Sequence, residues 1–494
     1  MTSHNGNQPE NNPEQSSELI RGVSLPSATA LNMIDMIGVG PFITIPLIIA
    51  AMGGPQAMIG WVAGAIIAMS DGLVWAELGA AMPRAGGSYQ YLKEIYGKEK
   101  FGKLMSFLFI FQLTFSAPLS IASGVVGLSL YSSYIFPALN HTYFSFDLNL
   151  PLPLIGPLQA NLYASNGAFL AIFILLIAVI LLYRRITIIS KLSQFLWLVV
   201  FLTVLWIIFS GVTHFDASRA FSFPPHAFDF NSGFLLGLGS AMLIAIYDYW
   251  GYYNVCFFGG EVKNPGRNIP RAIIYSVILV AVLYIIMNIS ILGVLPWQSI
   301  SSTAGTDASK YIVSVFMQTI YGTWAGNLVT VLIVWTAFAS VFSLLLGYSR
   351  VPYAAAVQGD FFHVFSKIHP KHKFPYVSLI LMGVTASAFC FLKLKDIIAA
   401  LVVIRIIIQF LAQTIGVIVF RIKRPEIKRP FKMWLYPVPA VVSFIGFVYV
   451  LISRNNFLKE VRYAAVLIIL GLILFFIRAY KRKEWPFKLR TIEI

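Results

Sequence analysis

The middle of the first apolar stretch, residues 29–51, reads NMIDMIGVGPF from Asn32 to Phe42. Two glycines and a proline within four residues break a helix, because glycine is conformationally free and proline has no N–H to donate. Proline is nevertheless well suited to the first position of a new helix, and here that residue is Pro41. This stretch is therefore predicted to form two half-helices separated by an unwound joint.

A second interruption lies in the sixth apolar stretch, residues 232–258, where YDYWGYYN runs from Tyr247 to Asn254. Unpaired backbone groups are tolerated inside a membrane only where they line a cavity or are buried in protein. A single Gly-Pro pair could be a simple kink. Two interruptions at matching places in two halves mark the substrate site of inverted-repeat transporters, and spans one and six are the places that a five-plus-five repeat requires.

The composition identifies the class of protein. The chain has 494 residues, of which 58% are apolar and 11% charged, and its mean hydropathy is +0.77. Soluble domains carry about 25% charged residues, so soluble domains and a disordered chain are excluded. The long apolar runs exclude a transmembrane β-barrel, whose strands alternate. We predict an all-α integral membrane protein whose polar residues 1–20 form a disordered cytoplasmic tail rather than a signal peptide.

About twelve apolar stretches are long enough to span a bilayer, which takes about 20 residues each. Their approximate bounds are 29–51, 56–81, 104–136, 166–183, 193–213, 232–258, 272–295, 324–347, 375–392, 397–420, 435–453 and 461–478. If the N-terminus and every second loop share one side, that side carries 28 of the 36 Lys and Arg residues. Positive residues collect in cytoplasmic loops. The protein is therefore predicted to lie in the plasma (inner) membrane with both termini in the cytoplasm. This distribution accounts for the net charge of +16, which does not indicate nucleic-acid binding.

Four stretches carry a resemblance to a known family. They are GVGPF at 38–42, WAEL at 75–78 with GGSYQY at 86–91, GEVKNP at 260–265 with NIPRA at 268–272, and Ser349-Arg350 with GDFF at 359–362. Together they resemble the amino acid–polyamine–organocation (APC) transporter family. The resemblance implies a five-plus-five inverted-repeat (LeuT-like) core at 21–424, helices 11 and 12 at 425–480 and a cytoplasmic tail at 481–494. It also implies alternating access to a site between spans one, three, six and eight.

The resemblance implies which residues bind the substrate. The amides at Val39 and Gly40 would hold a carboxylate, which agrees with the attraction of a helix N-terminus for anions. Carbonyls near Ile37 and in the Tyr249–Gly251 stretch would hold an amine, and Tyr247 would be an aromatic gate. The full set of expected substrate-binding residues is Asp35, Ile37, Gly38, Val39, Gly40, Tyr247, Asp248, Tyr249, Trp250 and Gly251.

The chain departs from the family pattern at Pro41, where the polyamine-uptake branch also has proline. The GEV triplet that begins at Gly260 resembles the same branch. Heavy-chain-linked exchangers of the family use a cysteine between spans three and four, but residues 137–165 contain none. A disulfide-linked heavy chain is therefore not expected.

Charged residues inside the spans are costly, by at least about 2.5 kcal/mol each on the insertion scale. Asp35 lies three residues before Gly38, and Asp248 directly follows Tyr247. One or both carboxylates are expected to bind a cationic amine or to carry a coupling proton. The alternative is a neutral, hydrogen-bonded Asp with a packing role.

Other polar residues within the spans have two interpretations each. Ser340 and Ser343 in span eight could line a site for Na⁺, the alternative coupling ion to H⁺, or could serve helix contacts. Arg405 in span ten either neutralises a buried acid such as Asp71 or snorkels to the interface. Glu77 is expected to be structural.

The function predicted first is secondary active transport of amino acids, coupled to protons or by exchange. A polyamine–proton symporter of the same fold is the alternative, because a polyamine has positive charge to pair with Asp35 and Asp248 and has no carboxylate. A membrane sensor that binds such ligands without transport is the alternative from another class. The sequence contains neither a paired nucleophile and base nor metal ligands, so no enzyme, cofactor or metal is predicted.

Overall fold

The computed structural model describes residues 19–152, 156–304, 310–393, 401–454 and 456–487. The predicted N-terminal tail, residues 1–20, lies outside this part of the chain apart from its last two residues. Residues 397–400, at the predicted start of span ten, and residues 488–494, in the predicted C-terminal tail, also lie outside it.

Helices make up most of the described chain and are numbered here in chain order. They are α1 (Leu25–Met36), α2 (Gly40–Ile43), α3 (Ile45–Met52), α4 (Met58–Ala81), α5 (Ser88–Ile95), α6 (Phe101–Ser132), α7 (Asn166–Leu182), α8 (Ile186–Thr213), α9 (Ala217–Ala220), α10 (Ser232–Tyr249), α11 (Asn254–Phe257), α12 (Pro265–Val294), α13 (Trp297–Ser302), α14 (Ile312–Tyr321), α15 (Thr323–Val357), α16 (Tyr376–Phe389), α17 (Leu401–Lys423), α18 (Val438–Ile452) and α19 (Phe457–Arg482).

Eight helices in the described ranges are long and apolar enough to cross a membrane, or up to nine if the bent pair of the first span counts as one. Shorter apolar helices, α7, α16 and α18, lie at predicted spans four, nine and eleven. A mainly helical, multi-pass membrane protein is confirmed. The count of twelve spans and the inverted repeat stay predictions.

The mainly helical chain includes one short stretch of β-structure, between spans three and four. Strands β1 (Thr142–Leu152) and β2 (Gly156–Ser165) form an antiparallel hairpin, and β3 (Leu392–Lys393) pairs with β2. Apolar Phe144, Phe146 and Leu148 alternate with polar residues in β1, which is the two-residue period of a strand. This pattern lies outside the long apolar runs that identify the membrane spans.

The first span is interrupted where the glycines and proline predicted it. Helix α1 ends at Met36, and a further bend of 61° lies at Thr44, between the segment Leu25–Ile43 and α3. Residues 37–39 are not helical. Pro41 takes the second position of α2, where a missing N–H costs nothing because the first N–H groups of a helix have no intrahelical acceptor. The proline therefore starts the second segment rather than merely kinking the first.

The sixth span is interrupted after Tyr249, where α10 ends. Gly251 has a φ of +130°, a conformation that other residues rarely adopt. A Cβ at this position would lie 2.8 Å from the Met36 nitrogen and 2.9 Å from the Asp35 carbonyl carbon. Glycine is therefore required at residue 251, because the two interrupted spans touch there through their backbones.

A buried ion pair joins spans one, six and eight on the side of the fold that holds the start of α1. The Glu261 carbonyl accepts hydrogen bonds from Gly22 N–H and Val23 N–H, each at 2.9 Å. Its carboxylate accepts from Arg350 Nε at 2.8 Å and Nη2 at 3.1 Å. The Glu261 and Arg350 side chains are almost fully buried. This side is called the termini side below, and the opposite side, with β1 and β2, the hairpin side.

A second polar cluster on the termini side centres on Asp360. Its carboxylate accepts hydrogen bonds from Lys93, from Tyr89 Oη at 2.5 Å and from Arg478 Nη2 at 2.9 Å. Burial alone raises the pKa of Asp360, but the hydrogen bonds from Lys93, Tyr89 and Arg478 and the Lys93 charge outweigh it, so the pKa lies below its ordinary value. The cluster therefore ties α5, the loop after α15 and α19 together.

Arg350→Leu is expected to lower the free energy of unfolding by about 3–5 kcal/mol, because it leaves the Glu261 carboxylate buried without its partner. Thermal unfolding of the purified protein in detergent measures the loss. The matched control is Arg267→Leu, since Arg267 is exposed. Equal melting temperatures for both variants would contradict the structural role of the pair.

Asp360→Asn is expected to lower the melting temperature most at neutral pH. A depressed native pKa adds stability above the ordinary pKa of Asp, about 4, and this stability is lost as the pH falls through the native value. The difference in melting temperature between wild type and variant should therefore shrink below about pH 4. Asp229→Asn, at an exposed position, serves as the control. A difference that stays constant with pH would refute the ionic role of Asp360.

Candidate functional site

A cavity of about 940 Å³ lies where the two interrupted spans meet. It is lined by the joint before α2, by the end of α10, and by residues of α6, α15 and α17. It continues toward the hairpin side as far as Tyr163 and Ser165 of β2. The polar centre of the protein is therefore reached from the hairpin side.

Most of the residues expected to bind the substrate line this cavity. They are Asp35, Gly38, Val39, Gly40, Tyr247, Asp248, Trp250 and Gly251, together with Ser340 from the possible ion site. The three expected residues that do not line it are Ile37, Tyr249 and Ser343, which are fully buried. Tyr249 packs against Trp61 and Tyr284 instead.

The joint backbone presents donors that the fold leaves unused. Val39 N–H and Gly40 N–H have no hydrogen-bond acceptor within the described ranges. The carbonyls of Ile37, Tyr249 and Trp250 likewise have no donor there, whereas the Gly251 carbonyl accepts from Asn254 N–H at 3.0 Å. Free amides and free carbonyls at the same break can hold a carboxylate and an ammonium group respectively.

The Asp248 carboxylate lies directly against the joint. Its Oδ2 accepts a hydrogen bond of 2.6 Å from Thr44 Oγ1, and its Oδ1 occupies the space that a Cβ on Gly40 would need. Glycine at position 40 therefore allows this close approach. Asp248 comes from span six and Thr44 from span one, so the carboxylate also connects the two interrupted spans.

The Asp35 side chain has no hydrogen-bond donor among the residues that the structure describes, and it borders the cavity. Its backbone carbonyl accepts from Ser340 Oγ at 3.3 Å. Ser343 is engaged between helices, since its Oγ donates to the Leu31 carbonyl at 2.8 Å and accepts from Asn254 Nδ2 at 2.8 Å. Of the two serines, only Ser340 therefore faces the cavity.

Arg405 does not pair with Asp71, the buried acid that the sequence analysis named as an example of its partner. Asp71 accepts hydrogen bonds from Tyr252 Oη at 2.6 Å and Ser443 Oγ at 3.3 Å. Arg405 lines the cavity and donates from Nη2 to Tyr348 Oη at 3.0 Å. Snorkelling to an interface is also excluded, since the residue is 6% exposed.

Stacked aromatic rings lie on the side of the cavity that faces α4 and α17. Trp75 stacks on Tyr253 with ring centroids 4.7 Å apart, and Trp250 stacks on Phe410 at 5.0 Å. Tyr253 also contacts Phe410 at 5.6 Å. These rings join spans two, six and ten, and the Glu261–Arg350 pair holds spans one, six and eight on the termini side.

Sequence reasoning missed Thr44, Tyr253 and Tyr348. Thr44 follows Gly40 by four residues, so the helical period places both on one face and could have identified it. Tyr348 lies in a long, uninterrupted apolar span, which gives no comparable signal.

A multi-pass helical protein with an interrupted-helix cavity at its centre has the architecture of a carrier for small molecules. The chain belongs to the amino acid permease family, because the family model described as "Amino acid permease" matches residues 23–475. The resemblance to the APC transporters is thereby confirmed.

Known relatives agree with this assignment. The chain is 26% identical to the branched-chain amino acid permease BcaP of Bacillus subtilis, over 91% of this chain and 92% of the relative. It is 26% identical to the serine/threonine exchanger SteT of the same organism, over 88% and 91%. It is also 26% identical to cationic amino acid transporter 4 of Mus musculus, over 80% of this chain and 57% of that protein.

Gly40→Ala is expected to cost about 1–3 kcal/mol of stability, because the added methyl group overlaps Asp248 Oδ1. The penalty should be smaller in an Asp248→Ala background, which removes the overlapping atom. A double-mutant cycle on melting in detergent measures this coupling. Gly260→Ala is the control, since a Cβ there meets nothing nearer than 3.4 Å. Equal penalties in both backgrounds would mean that the two residues do not touch.

Proposed function

We propose that this protein is a secondary transporter that moves amino acids across the membrane by alternating access. The amides of Val39 and Gly40 and the carbonyl of Trp250, which have no hydrogen-bond partner in the described chain and belong to residues that line the cavity, carry the proposal. An amino acid has a carboxylate and an ammonium group on one carbon, so one molecule can satisfy both sets at once. The names of the relatives, which are amino acid permeases and exchangers, support the same class of substrate.

Coupling to protons is supported by the position of Asp248. A substrate carboxylate at Gly40 N–H would approach the Asp248 carboxylate, which lies against the same residue. Two negative groups at close range repel each other strongly in a low-dielectric site. A proton on Asp248 removes this repulsion, so the proton and the substrate bind together. Asp35, which has no donor of its own in the described chain, is the candidate partner for the ammonium group.

Transport of polyamines is the second candidate. Two carboxylates, Asp35 and Asp248, line the cavity and would attract a polycation. The Arg405 guanidinium lines the same cavity and would repel it. A polyamine also leaves the joint amides without an acceptor. These two observations favour an amino acid.

The direction of access follows from the closed termini side and from the cavity that reaches β2. If both termini are cytoplasmic, as the distribution of Lys and Arg predicts, the structure is open toward the outside of the plasma (inner) membrane. Substrate would enter past the hairpin, and release would require the contacts on the termini side to separate. A sensor that binds without transport would lack this second step.

Counterflow in proteoliposomes tests the proposed class of substrate. Vesicles with the full-length protein hold a mixed unlabelled pool of amino acids and polyamines, and labelled leucine, aspartate, arginine or putrescine is added outside. We expect at least one amino acid to accumulate. Accumulation of putrescine alone would overturn the proposal in favour of polyamine transport, and binding without any accumulation would favour a sensor.

Asp248→Asn is expected to flatten the pH dependence of uptake. In the wild type, a lower external pH should speed uptake because a proton must accompany the substrate. The amide of Asn carries no negative charge at any pH, so uptake by the variant should change by less than about twofold over the range in which the wild type changes by about tenfold. Asp229→Asn, an exposed position outside the cavity, is the control. An unchanged pH profile in both Asp248→Asn and Asp35→Asn would exclude these residues from coupling.

A further inference from the structure

The Arg405 guanidinium faces the substrate cavity without a counter-ion in contact. No carboxylate lies within 4.0 Å of it among the residues that the structure describes. Its Nη2 donates to Tyr348 Oη at 3.0 Å and, weakly, to Ser116 Oγ at 3.5 Å. A guanidinium has five N–H donors, so the donors on Nε and Nη1 have no acceptor within the described chain.

A buried arginine in this state is unfavourable unless an anion reaches it. Arginine does not lose its proton in proteins, so the charge persists at 6% exposure. The rings of Trp250 and Tyr348 lie 5.5 and 5.7 Å from the guanidinium carbon, and such contacts contribute on the order of 1 kcal/mol each. Rings stabilise the charge but accept no ordinary hydrogen bonds. The remaining donors therefore require an acceptor from the cavity.

The helix that carries Arg405 is irregular at this position. Arg405 directly precedes a π-helical segment, Ile406–Leu411, within α17. Single π-turns inside α-helices are frequent at functional sites, because the wider turn changes where side chains point. The turn holds Phe410 against Trp250, and Trp250 in turn packs against the guanidinium. The aromatic contacts therefore position the Arg405 side chain at the cavity wall.

We propose that Arg405 binds a second carboxylate on the substrate, so that the cavity selects dicarboxylic amino acids of the aspartate and glutamate type. This inference rests on the proposed function and makes the class of substrate more specific. The joint amides at Val39 and Gly40 hold the α-carboxylate, Asp35 and the free carbonyls hold the ammonium group, and Arg405 holds the side-chain carboxylate. The two carboxylates of such a substrate then meet N–H donors, and its ammonium group meets a carboxylate and carbonyl acceptors.

Aspartate and asparagine provide the sharpest test, because they have nearly the same shape and differ in the charge of the side chain. Counterflow into proteoliposomes with the full-length wild type should be at least about tenfold more efficient for labelled aspartate or glutamate than for asparagine or glutamine, as expected for a charge-assisted hydrogen bond. This comparison needs no variant and does not depend on how well one folds.

Variants then assign the selectivity to Arg405. Arg405→Gln should lower the ratio of aspartate to asparagine uptake at least tenfold, and Arg405→Lys, which keeps the charge, should retain part of it. The ratio is measured within one preparation, so a loss of folded protein changes both uptakes alike. Arg21→Gln, at an exposed position before α1, should leave the ratio unchanged.

The outcomes separate this inference from the proposed function. If leucine or arginine accumulates while aspartate and glutamate do not, the protein transports amino acids and the role of Arg405 is refuted. If aspartate accumulates but its ratio to asparagine is the same in wild type and Arg405→Gln, the role of Arg405 is refuted as well. If only putrescine accumulates, both proposals fail.

Discussion

The Asn32 side chain holds the two interrupted spans together. Its Nδ2 donates to the Tyr252 carbonyl at 2.6 Å, and its Oδ1 accepts from Val255 N–H at 3.0 Å. These backbone groups are freed where α10 ends, and inside a membrane protein such groups must be satisfied internally. A side chain of the first span therefore completes the hydrogen bonding of the second. The sixth span cannot become a continuous helix without displacing Asn32, so its unwound segment persists and borders the cavity.

Further contacts between the two interrupted spans determine which backbone carbonyls remain available to a ligand. Tyr284 Oη donates to the Met36 carbonyl, at 2.8 Å, and to the Asp248 carbonyl, at 3.3 Å. Gly251 allows the backbones of the two interrupted spans to approach each other. The Met36 and Asp248 carbonyls are thus satisfied by the protein, whereas the carbonyl of Trp250, a residue that lines the cavity, has no donor within the described ranges. The fold separates structural backbone groups from groups that remain available to a substrate.

The positions of the two interruptions could be predicted from the sequence, because glycine and proline act locally on the backbone. The contacts of Arg405 could not be predicted. It lies 334 residues from Asp71, and which acid or ring it meets depends on how α17 packs, which composition and periodicity do not encode. Its partner Tyr348 belongs to an apolar span without any break. The hairpin of β1 and β2 has a visible two-residue period, but hydropathy is averaged over windows much longer than that period.

The charges in the cavity impose a further constraint on what can bind. Asp35 and Asp248 bring two potential negative charges, and Arg405 and Lys310 bring two positive charges. Among Asp35, Asp248 and Arg405 no ion pair within 4.0 Å forms in the described chain. Direct pairing between them would close the cavity to ligands, because each group would satisfy the other. Aromatic rings keep Arg405 at the wall, and Thr44 holds Asp248 at the joint. The separation of opposite charges by fixed neighbours therefore costs stability in the empty protein, and a zwitterionic substrate recovers that stability when it binds between them.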